Sequence, residues 1–230
     1  MTTHVLITGA NRGIGLAFVN HYLAQGFKVT ACCRKTDTED SLHQLLERYS
    51  SLNIQTLDVT SQQSISALSA KLSDSGIDIL INNAGFYGPK GMPLGQTDVA
   101  QWLKVLQVNT VAPLMVVEGL MTKLNQRQAT IVCISSKMGS MADNSSGGAY
   151  IYRSSKAGLN AVVKSLALDL KPKNITCVSL HPGWVQTDMG GPNALISVNE
   201  SVQGMTQVIE NLSIDQTGKF FNYDGSAIDW

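Results

Sequence analysis

A chain of 230 residues, 43% of them hydrophobic and 15% charged, is long enough to bury one sizeable core and short for two domains. Seventeen basic residues balance seventeen acidic ones and are scattered, so no nucleic-acid groove and no polybasic membrane patch is expected; the expected partner is a small molecule. Cys32, Cys33, Cys133 and Cys177 sit in apolar runs without metal-ligand spacing, the N-terminus has no basic leader, and Ala112 to Val117 is stopped by Glu118 well short of the roughly 20 residues of a membrane span, so we expect buried thiols and a cytoplasmic location.

The first apolar run, Val5 to Ile7, predicts a strand that enters Thr8-Gly9-Ala10-Asn11-Arg12-Gly13-Ile14-Gly15 and then a helix over 13–25. Glycines at a strand-turn-helix junction let the backbone approach a pyrophosphate, and free N–H groups at the helix start stabilise its charge. The spacing here is Gly-x-x-x-Gly-x-Gly rather than the common Gly-x-Gly-x-x-Gly. The second run, Lys28 to Cys33, ends in Arg34-Lys35, where an NAD-binding chain places an acid for the ribose hydroxyl. Asp37 and Glu39 come too late along the loop to take that place. Arg34 would attract a 2′-phosphate and Arg12 could form the other jaw of a clamp, which favours NADP(H); two solvated surface arginines are the alternative.

Further runs at Ile54–Leu57, Ile77–Ile81, Ala129–Ser135, Ile175–Leu180 and Lys219–Asn222 alternate with helical periodicity over 39–49, 61–74, 98–124, 148–171 and 198–211, and a Gly- and Pro-rich loop spans Gly85 to Gly95. Short continuous apolar runs are strands buried on both faces, so the expected fold is a doubly wound α/β domain over residues 1–230, with a parallel sheet of about seven strands. In the fourth helix Pro113 lies four residues after Asn109. Proline has no N–H, so the Asn109 carbonyl loses its helical partner, a bend is expected, and the freed carbonyl can hold a water.

On the fifth helix Tyr152 and Lys156 stand four apart and share a face, downstream of the pair Ser135-Ser136. Lowering a phenol from its ordinary pKa of about 10 to about 7 takes roughly 4 kcal/mol, which a cation at about 4 Å in an effective dielectric of about 20 supplies. The pair therefore suits a proton donor and acceptor near neutral pH. An aromatic ring packed beside a solvated lysine is the bland alternative. Tyr150 is followed by Ser154 rather than a cation and lacks the activating partner.

Thr8-Gly9-x-x-x-Gly13-x-Gly15, Asp58-Val59, Asn82-Asn83-Ala84-Gly85, Asn109, Ser135-Ser136, Tyr152-x-x-x-Lys156 and Pro182-Gly183-Trp184-Val185-x-Thr187 occur in one order along the chain. This sequence resembles the short-chain dehydrogenases/reductases over its whole length, and within them it is most similar to the C-factor and sniffer-like carbonyl reductases. The resemblance implies an NADPH-dependent carbonyl reductase in which Tyr152 is the catalytic acid, Lys156 lowers its pKa and bonds the nicotinamide ribose, Ser136 holds the substrate oxygen, and Asn109 positions a water. Ser135 is expected to turn into the sheet. The resemblance further implies that Asp58 and Val59 contact the adenine, that Asn82, Ala84 and Gly85 support the sheet beside the adenine ribose, and that Pro182, Gly183, Val185 and Thr187 wrap the nicotinamide and phosphates. A carboxylate capping the next helix is a second role open to Asp58. The interval from Ser136 to Tyr152 is longer than usual, so an enlarged loop is expected within Met138–Gly148. Met138, Met141, Tyr150, Trp184 and Met189 are candidate pocket walls, His181 is expected to be structural, and a homodimer through the helices near 98–124 and 148–171 is a plausible assembly. An NADP(H)-binding sensor or signalling module of the same fold, whose output does not depend on turnover, is the alternative.

Overall fold

Seven short strands, rich in β-branched and aliphatic residues, pair in parallel: β1 (His4–Thr8), β2 (Lys28–Cys33), β3 (Leu52–Thr56), β4 (Ile79–Asn82), β5 (Thr130–Ile134), β6 (Thr176–His181) and β7 (Phe220–Asn222). Their order is β3-β2-β1-β4-β5-β6-β7, so the chain reverses direction across the sheet between β1 and β4. Ligands collect at the carboxyl ends of the strands at such a switch point. The computed structural model describes residues 2–35, 41–74 and 76–230; Asp37, Glu39 and the first residues expected in the second helix lie outside the described residues.

Alternate residues of each strand feed two cores, as a two-residue repeat dictates. Val5 and Ile7 face the layer that holds Phe18, Val19 and Tyr22 of α1 (Gly13–Ala24), Leu42 and Leu45 of α2 (Ser41–Leu46), and Val202, Met205 and Ile209 of α7 (Val198–Glu210). Leu6 faces the opposite layer, built from Ile65 and Leu68 of α3 (Gln62–Lys71), Val116, Val117 and Leu120 of α5 (Ala112–Leu120), and Leu159 and Val163 of α6 (Tyr150–Leu170). The four cysteines are buried.

The helix expected at 98–124 is α4 (Val99–Leu106) and α5 joined by a π-helical turn, Gln107–Val111, in which the Ala112 N–H reaches back five residues to the Gln107 carbonyl. Pro113 follows directly, so the irregularity falls at Asn109, where the missing proline N–H predicts it. Taken through the turn, Val99–Leu120 is long and apolar enough to cross a membrane by length and composition, which the sequence reading stopped at Glu118 does not anticipate. In the fold Val105, Val116, Val117 and Leu120 of this helix are buried.

Candidate active site

Gly9 and Gly13 adopt positive φ, +64° and +53°, which costs glycine nothing. A Cβ on Gly15 would lie 2.2 Å from the Gly9 carbonyl oxygen, so the turn closes only without one. Asn83, in the middle of the segment after β4, holds this turn in place: its Nδ2 donates to the Thr8 and Gly9 carbonyls, both at 3.0 Å, while its N–H and that of Ala84 donate to Thr8 Oγ1. Asn82 donates instead to the Pro113 carbonyl at 3.4 Å, tying β4 to α5. The N-cap of α1 is Arg12, whose side chain makes no cap bond, and the first turn has no acidic residue. Asn11 lies in the turn and Ile14 packs on the core beneath it. A twelve-residue helix thus opens with its N–H groups unclaimed by any side chain above a glycine cradle, which fits a dinucleotide pyrophosphate.

Arg34 is exposed just beyond β2, close enough to Asp58 for its charge to help hold that carboxyl below the usual range, after the hydrogen bonds from Thr60. Asp58 Oδ1 accepts from the Thr60 N–H at 2.9 Å and hydroxyl at 2.7 Å, while α3 is capped by Ser61, which accepts from Ser64 N–H. The capping role considered for Asp58 therefore belongs to Ser61. Val59 packs, partly buried, on the α3 side of the sheet. Arg12 departs from expectation: its Nη1 lies 2.8 Å from Asp188 Oδ2, an acid beyond β6 that no local pattern in the sequence pairs with it.

At the carboxyl end of β5 the two serines separate. Ser135 is buried and its hydroxyl donates to Asn160 Oδ1 at 2.6 Å, so it faces α6 rather than the sheet. Ser136 accepts from the Met138 N–H, and its hydroxyl is near enough to the Tyr152 phenol to pull that group's pKa down. The turn after Ser136 lies so close to α6 that a Cβ on Gly139 would fall 2.7 Å from the Lys156 carbonyl carbon. Arg153 holds the enlarged loop, donating to the Met138 carbonyl at 3.3 Å and to Ser146 Oγ at 2.9 Å.

Tyr152 is 8% exposed and Lys156 5%. Lys156 Nζ donates to the Ile134 carbonyl at 2.8 Å and lies 5.9 Å from the centre of the Tyr152 ring. Burial pushes the ammonium down to about 8. The phenol goes the other way from expectation: burial pushes Tyr152 up to about 12, with Ser136 pulling it down and Tyr87 adding to the rise. The i, i+4 spacing sets the two side chains on one face, but desolvation outweighs the cation, whose hydrogen is directed at a backbone carbonyl.

Asn109 is buried and clamps a backbone. Its Oδ1 accepts from Phe86 N–H at 3.1 Å, and its Nδ2 donates to the Phe86 carbonyl at 2.9 Å and to Ser155 Oγ at 3.1 Å. Gly85 sits between Asn109 and Lys156: a Cβ there would be 3.1 Å from Asn109 Oδ1 and 3.6 Å from Lys156 Nζ. The clamp fixes the next residue, Tyr87, whose ring stacks on Tyr152 at 4.4 Å between centres. Tyr87 was unmarked in the sequence because nothing in a Gly-Pro loop announces a partner on α6.

Beyond β6, the Pro182 carbonyl accepts from Ser201 Oγ, Gly183 has φ +85°, and Val185 is buried. Thr187 Oγ1 accepts from Gly190 N–H at 3.2 Å, and Trp184 Nε1 donates to the Gly190 carbonyl at 2.9 Å, so 184–190 is a compact strap. A Cβ on Gly13 would be 3.6 Å from the Thr187 methyl, which puts the strap against the glycine turn. Met141, Tyr150, Trp184 and Met189, four of the proposed pocket walls, are exposed. His181 is half-buried, its Nδ1 is shielded from water with no hydrogen-bond partner among the described residues, and desolvation lowers it to about 4. Among the described residues no cluster of His, Cys, Asp or Glu could hold a metal ion.

Residues 3–195 match the short chain dehydrogenase family. This chain is a short-chain dehydrogenase. It is 42% identical over 165 residues to C-signal of Myxococcus xanthus, an alignment covering 71% of this chain and 99% of that protein. Its fold superposes on carbonyl reductase Sniffer of D. melanogaster with a TM-score of 0.93 at 37% identity, over 100% of both chains. The NADPH-bound carbonyl reductase from chicken fatty liver gives a TM-score of 0.92 at 37% identity, over 100% of this short-chain dehydrogenase and 99% of that chain. The family gives an oxidoreductase, and the seven-stranded doubly wound sheet expected from the sequence is the observed one.

Proposed function

We propose that this short-chain dehydrogenase reduces a carbonyl, an aldehyde, ketone or quinone, with NADPH. The observation that carries the reading is the cluster of Ser136, Tyr152 and Lys156 at the carboxyl end of β5, all three buried. The turn from Gly9 to Gly15, the Asn82–Gly85 segment and the Pro182–Thr187 strap are the residues that would hold the dinucleotide, with Arg34 and Arg12 on the 2′-phosphate. When bound, NADPH supplies the hydride that reduces the carbonyl carbon.

The substrate oxygen is held by the hydroxyls of Ser136 and Tyr152, and Tyr152 gives its proton as negative charge develops there. With burial holding the phenol up at about 12, the donor form is the populated one at neutral pH, which suits reduction over oxidation. Lys156, lowered to about 8, is still mostly charged at pH 7 and stabilises the developing phenolate. Asn109 fixes Phe86 and Ser155 through its side chain, leaving its carbonyl, which faces no N–H four residues on, for the proton path out of the site. The exposed Val99, Leu103, Val111 and Leu168 on the helices near 98–124 and 148–171 support the homodimer expected there.

The test is Tyr152→Phe in a panel of aldehydes, ketones and quinones, following NADPH oxidation. A loss of at least about 100-fold in kcat is expected from removing a general acid, and unchanged turnover would refute the assignment. A second reading, a nucleotide-binding signalling protein whose output does not need turnover, draws on the similarity to a protein named C-signal. Tight NADPH binding without oxidation by any member of the panel would favour it.

A further inference from the structure

Arg12 and Asp188 meet where the strap lies against the glycine turn. Arg12 caps the helix above the glycine cradle, and Asp188 lies on the strap between Thr187 and Met189. The strap is tied on a second side, where Lys90 Nζ donates to the Met189 carbonyl at 3.0 Å. Both members of the ion pair are open to water, with side chains 71% and 84% exposed, so neither is locked by packing. The carboxylate holds the guanidinium through one nitrogen only. A guanidinium that faces a carboxylate on one side of a dinucleotide cleft has a competing partner if the ligand brings a phosphate: a phosphate dianion takes two parallel N–H donors and carries more charge than a carboxylate.

We propose that Asp188 is a specificity-determining residue that stands in for the 2′-phosphate of NADP(H), holding Arg12 until the phosphate displaces it. The inference rests on the reading that this cleft binds NADP(H). Only a 2′-phosphorylated dinucleotide draws Arg12 away from the strap; NAD(H), which lacks the group, leaves the pair closed. Asp188 thus taxes the binding of the phosphorylated cofactor slightly while keeping Arg12 and the strap ordered in its absence. An exposed ion pair of this kind is weak, so the competition amounts to a factor of about two to five.

The experiment is calorimetric titration of the full chain with NADP⁺ and, separately, NAD⁺ at low ionic strength, where exposed pairs are least screened. Wild type, Asp188→Asn, Arg12→Gln and the double variant are compared. The expected result is that Asp188→Asn tightens NADP⁺ about two- to five-fold and leaves NAD⁺ unchanged, and that this gain vanishes in the Arg12→Gln background. An equal effect on both dinucleotides, or a gain that persists without Arg12, shows a general field effect of the lost carboxylate and overturns the inference while NADP⁺ binding itself stands. If Arg12→Gln costs NADP⁺ no affinity, Arg12 has no part in recognising the phosphate and the inference falls. Wild type that binds neither dinucleotide refutes the underlying reading as well, and that outcome is distinct from the others.

Discussion

Replacing Lys156 by Met separates what the lysine does for chemistry from what it does to the fold. Its ammonium is buried at 5% exposure and lowered from 10.5 to about 8, chiefly by desolvation. Each pH unit of such a difference is worth about 1.4 kcal/mol, so the charged form costs the folded state about 3 kcal/mol at pH 7. The direction with pH follows from proton counting. Between pH 8 and 10.5 the unfolded chain keeps the lysine proton and the folded chain has released it, so stability rises by about 3 kcal/mol as pH climbs through that window and is lost again as pH falls to 8. Methionine preserves most of the stem and removes the charge, but it strands the Ile134 carbonyl, which now accepts at 2.8 Å, at a cost of about 1–3 kcal/mol. At pH 7 the variant should therefore be as stable as wild type or up to about 2 kcal/mol more stable, while the reduction proposed above is expected to collapse. Urea unfolding of both proteins from pH 7 to 10.5 gives the difference curve, in which the other groups cancel. A flat difference curve would refute the claim that Lys156 is held charged against its burial, and so would a Met variant several kcal/mol weaker than wild type at every pH.

Arg34→Asp places an acid where a ribose hydroxyl would bond, and it should change the ratio of NADPH to NADH affinity by at least about tenfold toward NADH; an unaltered ratio in direct binding would leave the clamp without support. His181 predicts an acid weakness: it is neutral in the fold and lowered to about 4, so the unfolded chain takes up a proton first, and about 3 kcal/mol is lost as pH falls from 6.5 to 4. His181→Leu should remove that part of the acid sensitivity in urea unfolding at pH 7 and pH 4.5, and an identical pH dependence in the two proteins would show that His181 is not its source.

Strands buried on both faces announce themselves as apolar runs, which is why seven of them could be placed within about two residues from the sequence. The exceptions follow pairing rather than hydrophobicity: β3 starts at Leu52, before the apolar run, because Leu52 is in register with Val29 of β2. In the site, the glycine turn and the Tyr152–Lys156 pair are local patterns, and local geometry survives folding. Burial is not local. The spacing of Tyr152 and Lys156 put a cation beside a phenol, yet whether the phenol is acidified depends on solvent exclusion where Tyr87 stacks on its ring, and that outweighed the downward pull of Ser136 and reversed the direction. Asp188 escaped notice for a related reason. It meets Arg12 from 176 residues away, through a strap whose path is set by contacts among Trp184, Thr187 and Gly190.

Those same contacts bear on whether turnover matters to this short-chain dehydrogenase. A chain that needed only to hold a dinucleotide would require the glycine cradle, the Asn83 staple and an arginine near the phosphate. None of these asks for a charged lysine at 5% exposure or a phenol set beside a buried serine, and keeping the lysine charged costs about 3 kcal/mol at neutral pH before its bond to the Ile134 carbonyl is counted. Strongly perturbed groups of this kind gather where chemistry is done. Asn109 adds to the case, since its side chain orients the backbone beside Tyr87 and reaches Ser155, three residues along α6 from Tyr152, instead of facing the nucleotide cradle. The cost of keeping Lys156 charged thus supports the reductase reading, and the urea difference curve measures that cost, while turnover itself is read by the carbonyl panel.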